Sequence, residues 1–91
     1  MPRIKLTSNV YTTDQESIDS KNANEIVFYN QSDANIGLTI GETGGQMILE
    51  PYKPFGIGTD KIGLTVDARF KLEFLTATSK SCHVTWAFID E

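Results

Sequence analysis

Phe70-Lys71-Leu72-Glu73-Phe74 and, a little further on, Cys82-His83-Val84-Thr85-Trp86-Ala87-Phe88-Ile89 decide the fold class. Large apolar residues occupy every second position in both stretches. A strand turns successive side chains to opposite faces, so this period of two reads as strands with one side in a core. The same grammar extends in both directions. Glu25-Ile-Val-Phe-Tyr29 is rich in β-branched and aromatic residues, and Ile36-Gly-Leu-Thr-Ile40 sets Ile36, Leu38 and Ile40 on one face. Met47 to Leu49, the pair Phe55 and Ile57, and the series Ile62, Leu64, Val66 continue it. Near the start, Ile4, Leu6 and Val10 mark a first strand within Arg3 to Thr12.

Turn residues separate these runs. Asn30 to Asn35, Gly41 to Gln46, Gly58 to Lys61 and Thr76 to Ser81 have loop compositions, and Pro51 and Pro54 interrupt a ladder because proline donates no backbone hydrogen bond. Thr13 to Asn24 is polar throughout and reads as a long loop. Seven to eight short strands, spaced by about 8–12 residues, predict an all-β antiparallel sandwich, jelly-roll-like or immunoglobulin-like. No segment supplies the crossover helices that a parallel sheet needs. The 91 residues are expected to form one domain, with 1–24 as an N-terminal strand plus a long polar loop.

Composition narrows the function. The net charge is -4 and the eight basic residues are scattered, which argues against nucleic-acid binding. One cysteine excludes an internal disulfide, and one cysteine with one histidine cannot build the usual zinc site. No signal-peptide pattern and no membrane-spanning run is present, so folding in a reducing cytoplasm is expected.

The reactive residues do not make a site. His83 is out of phase with Cys82, Val84 and Trp86, so it faces away from the core, and its neighbour Cys82 faces the other way. A general base needs an oriented partner and a nucleophile, and none accompanies it. Asp14, Glu16 and Asp19 lack the glycine and final glutamate of a calcium loop. Gly41 to Gly45 lacks the Lys-Ser/Thr ending of a phosphate loop. The expectation is therefore no enzyme, no catalytic residue, no metal and no cofactor. A carbohydrate-binding module using Tyr11, Tyr29 or Tyr52 is the alternative, and a cupin-like enzyme stands far behind because His83 is alone.

More informative are strands that are apolar on both sides. Val27 and Tyr29 oppose Ile26 and Phe28, and Ala87 and Ile89 oppose Trp86 and Phe88. Both faces then need cover. Val27, Tyr29, Ala87 and Ile89 are the candidate interface, joined by Arg3 and Lys5 if the first strand adds to a neighbour's sheet.

Ile26-Val-Phe-Tyr-Asn30 followed by Ser32, then Ile36-Gly-Leu-Thr-Ile40, Leu49-Glu-Pro51 and Phe70-Lys-Leu-Glu-Phe74, resembles the series in small β-sandwich virion proteins of tailed bacteriophages. Tyr52 stands where a glycine commonly follows the proline in that series. The resemblance covers roughly Glu25 to Ile89 and transfers no functional residue. It implies a capsid-decorating or particle-surface subunit, assembled in the host cytoplasm and located in the virion. Its partners would be copies of itself, as a homo-oligomer, or a larger shell protein, with neither nucleic acid nor membrane.

Overall fold

The computed structural model describes residues 3–41, 44–58 and 64–90. Among them are eight strands and no helix: β1 (Arg3–Tyr11), β2 (Gln15–Asp19), β3 (Glu25–Asn30), β4 (Ile36–Ile40), β5 (Gln46–Leu49), β6 (Pro54–Gly58), β7 (Arg69–Phe74) and β8 (Cys82–Asp90). They build two antiparallel four-stranded sheets, ordered β1-β8-β3-β6 and β2-β7-β4-β5. We call these the first and second sheets. Partners nest, with β1 on β8, β2 on β7, β3 on β6 and β4 on β5. That is a long hairpin rolled up on itself, the jelly-roll order, and it differs from the ABED/CFG division of an immunoglobulin domain.

The alternating runs form the core between the sheets. From the first sheet come Ile26, Phe28, Cys82, Val84 and Trp86; from the second come Ile18, Ile36, Leu38, Leu49, Phe70, Leu72 and Phe74. Phe28 and Phe70 meet across the gap edge to face, with centroids 5.0 Å apart and planes at 62°. Trp86 places its apolar ring in the core and donates its Nε1 proton to the Asp19 carbonyl at 2.9 Å. The Lys21 ammonium lies 4.3 Å from the Trp86 ring centroid, a cation over a π face.

Residues 13–24 are not only a loop, because β2 lies within them. Within β2 a single apolar residue, Ile18, turns inward, and the pairing with β7 is irregular between Gln15 and Ile18. One inward side chain and a register shift leave no period to read. The run Leu64 to Ala68, expected as part of a strand, has no regular structure; Ile62 lies outside the described residues. Its backbone is tied by side chains and two backbone bonds instead of a ladder: Val66 N–H donates to the Ala23 carbonyl, and the Ala68 carbonyl accepts from Ser20 N–H. Ser20 Oγ donates to the Val66 carbonyl and accepts from Ala68 N–H, and Asn24 Nδ2 donates to the Leu64 carbonyl.

Pro54 opens β6 at the border of a sheet, a position where its missing N–H leaves no ladder bond unmade. Before it, Tyr52 has φ of 60°, a left-handed conformation that glycine adopts freely and a tyrosine does not. Asn30 and Ser32, two residues of the phage-like series, form a buried polar hub. Asn30 Nδ2 donates to the carbonyls of Ala34 and Leu49, its Oδ1 accepts from Ser32 N–H, and Ser32 Oγ exchanges bonds with the Ser81 backbone. Through Leu49 and Ser81 this hub links β3, β5 and the entrance to β8.

Candidate functional site

Register determines what the outer side of the first sheet presents. Because Ile26, Phe28, Val84 and Trp86 point inward, their sequence neighbours point out. Cross-strand pairing sets these neighbours in four rows: Ile4–Ile89; Leu6–Ala87–Glu25–Gly58; Ser8–Thr85–Val27–Gly56; and Val10–His83–Tyr29–Pro54. Apart from Glu25 and His83, every member is aliphatic, small, aromatic or hydroxylated. Ile4 at 68%, Leu6 at 64%, Val10 at 48% and Tyr29 at 37% are exposed, and Val27, Ala87 and Ile89 are half-buried. On the β6 side Gly56 and Gly58 contribute no side chain, so that border is flat. Gly58 is required for a separate reason: its φ is 154°, and a Cβ there would fall 2.3 Å from the Asn24 carbonyl oxygen.

The structure brings Val27, Tyr29, Ala87 and Ile89 onto this one face, as their positions opposite core residues implied. Arg3 and Lys5 are not on it. They lie on β1 in the opposite phase to Ile4 and Leu6, on the side facing the second sheet, yet they too are exposed. Sequence reading left out Ile4, Leu6 and Val10. Alternation reported that β1 has an apolar side, but not that this side faces outward; every residue of β1 except Tyr11 is exposed, so the strand overhangs the core.

Four strands border the sheets: β1 and β6 in the first, β2 and β5 in the second. Three of them are blunted. β2 has five residues and a register shift, β5 has four residues, and β6 has five, opening on Pro54 and including two glycines. By contrast β1 pairs with β8 over nine consecutive residues without a shift and has no proline between Arg3 and Tyr11. Its other side is an open row of backbone donors and acceptors.

The outer face of the second sheet is chemically different. Lys71 Nζ lies 3.2 Å from Glu73 Oε1, Arg69 lies 3.8 Å from Asp19, and Arg69 donates to Ser17 Oγ. Glu73 raises the Lys71 pKa by hydrogen bond and charge. A cleft of about 310 Å³ opens here among Glu16, Ser17, Thr39, Gly41, Arg69, Phe70 and Lys71.

The remaining candidates are dispersed. His83 stands between Val10 and Tyr29 on the outer face, whereas Cys82 is buried and desolvation pushes its thiol up to about 12. Asp14 accepts the Phe74 N–H at 2.9 Å, Glu16 lines the cleft and Asp19 faces Arg69. Among the described residues no three His, Cys, Asp or Glu side chains are grouped to hold a metal. Tyr11 packs against the core from the inner phase of β1, Tyr29 is on the outer face and Tyr52 is on the turn before β6, so the three tyrosines share no platform. Asp33, not singled out from sequence, organises a loop: Thr78 Oγ1 donates to Asp33 Oδ2, and Thr78 N–H and Ser79 N–H donate to Oδ1, which lowers the Asp33 pKa.

No described helix is long and apolar enough to cross a membrane. No family model, curated protein or solved structure matches the chain.

Proposed function

We propose that this chain is a non-enzymatic structural subunit of a virus particle of the tailed-bacteriophage kind, decorating the capsid or another particle surface. The observation that carries the reading is the apolar outer face of the first sheet, contributed by Ile4, Leu6, Val10, Val27, Tyr29, Ala87 and Ile89. An antiparallel sheet with one solvated side ordinarily turns polar residues to water there, as the second sheet does apart from Ile48. A contiguous apolar face on a small domain instead fits a contact surface, completed by a copy of the chain or by a larger shell protein. The phage-like strand series supports the particle context, and Asn30 and Ser32 of that series hold the polar hub beneath the loops.

The decisive experiment is the protein content of purified particles. The chain should be present in fixed stoichiometry, and Ala87→Lys or Leu6→Lys should exclude it while leaving it folded. Absence from particles, together with a chain that binds no shell protein, would overturn the reading. Glycan binding abolished by Tyr29→Ala would replace it with carbohydrate recognition.

A further inference from the structure

We infer that β1 pairs antiparallel with β1 of a second copy, in the register that sets Thr7 opposite Thr7, joining two first sheets into one eight-stranded sheet. This deepens the structural-subunit reading by naming the occupant of one border, and it rests on that reading for its biological setting.

The border itself is the first argument. Nine regular residues at about 3.4 Å each give roughly 30 Å of unpaired backbone, whereas the other three borders are short, bulged or marked by proline and glycine. β1 is also exposed on both sides, so an incoming strand meets no obstruction from the second sheet.

Charge selects the register. The only charged residues between Arg3 and Tyr11 are two cations, Arg3 and Lys5, both near one end. Antiparallel pairing with an identical strand sends them to opposite ends. Registers displaced toward the start of the strand set Lys5 against Lys5, or Arg3 against Lys5, and like charges directly opposite are unfavourable. The Thr7-centred register avoids this and engages all nine residues. It sets Lys5 opposite Asn9 of the second copy and Arg3 opposite the Tyr11 ring, a cation–π geometry. The two Lys5 residues are then offset by about 14 Å along the strands, beyond the roughly 8 Å screening length of physiological salt.

Packing agrees. On the outer side Ile4 meets Val10 and Leu6 meets Ser8 of the second copy, so the apolar rows run across the junction. A two-fold axis perpendicular to the sheet keeps both apolar faces on the same side, and the pair presents one doubled platform. Nine residues a side is well under the 20–30 of a standard interface. The free dimer is therefore reversible, with a dissociation constant on the order of micromolar.

Sedimentation velocity on the full chain, over a concentration series from micromolar to millimolar, tests this. The expected result is a monomer–dimer equilibrium. Thr7→Lys, which places a cation opposite itself and diagonal to Lys5, should weaken association by about tenfold or more. Asn9→Glu, which places a carboxylate opposite Lys5 twice by symmetry, should tighten it by roughly twofold to thirtyfold. Circular dichroism and melting confirm that both variants are folded. A strict monomer at millimolar concentration overturns the pairing, as does a dimer indifferent to both substitutions or broken only by Ala87→Lys. A monomer whose incorporation into particles is nevertheless lost with Thr7→Lys also overturns it, in favour of a foreign strand on the same border. Particle incorporation of a strictly monomeric chain separates failure of this pairing from failure of the structural-subunit reading.

Discussion

The two sheets share a core and differ in what they show to water. The outer side of the second sheet carries Arg69, Lys71, Glu73 and Asp19 in ion pairs, the ordinary dress of a solvated face. The outer side of the first carries Ile4, Leu6, Val27, Ala87 and Ile89, with Glu25, His83 and Tyr29 as the titratable groups in its rows. Core packing alone cannot account for the difference, because both sheets turn equally apolar inner faces to each other. The inner faces explain why the chain folds; the proposed function rests on the outer faces.

The strongest way to break the contrast is to remove what both sheets rest on. Trp86→Ala should cost about 3–5 kcal/mol, a large part of the stability of so small a domain, and both faces should be lost in one transition in urea. Separate unfolding of the two sheets would show that they are not one unit.

Matched substitutions on the two outer faces are the sharpest comparison. Leu6→Lys and Ile48→Lys replace similarly exposed aliphatic residues, one on each outer face. Each should change stability by no more than about 0.5 kcal/mol. Leu6→Lys should reduce assembly by about tenfold or more, whereas Ile48→Lys should leave it unchanged, read by binding to the particle shell. Equal effects would remove the functional distinction between the faces.

Alkaline pH probes the core that the two sheets share. Burial pushes the Cys82 thiol up to about 12 from an ordinary 9.0, so the folded chain keeps a proton that the unfolded chain releases. Its contribution is intact below pH 9.0 and is lost as pH rises toward 12, a loss on the order of 1 kcal/mol by pH 10. Cys82→Ala should remove that part of the decline in melting temperature. Lys71 also titrates upward under the influence of Glu73, but its exposure to solvent makes its share small. The smallest expected effect is at Arg69, whose ion pair with Asp19 is exposed. Arg69→Ala should cost less than about 0.5 kcal/mol in a melting experiment, with the loss shrinking further as salt is added.

Seven of the eight strands announced themselves, because their alternation was clear, as with Phe70, Leu72 and Phe74, or because they came with turn residues, as with the glycines before Met47. β2 was hidden because pairing with β7, not an apolar pattern, makes it a strand. Leu64 and Val66 misled for the opposite reason: their alternation is real, but Ser20, Ala23 and Asn24 occupy the backbone groups that a ladder would use. The apolar outer face of the first sheet was half legible. Val27, Tyr29, Ala87 and Ile89 could be found because each neighbours a core residue of known phase. Ile4 and Leu6 could not, since alternation alone does not tell in from out, and the overhang of β1 depends on how far the second sheet reaches.

The nesting of the first strand on the last has a temporal consequence. β1 emerges from the ribosome long before β8, and until residue 90 has been made it has no partner in its own chain. Ile4 and Leu6 gain their places beside Ile89 and Ala87 only when β8 zips between β1 and β3, in a fold dominated by distant pairings that close slowly. Nascent chains therefore carry the ingredients of the platform without its shape. The outer face of the first sheet is therefore completed only once β8 has been made and has joined β1 to β3.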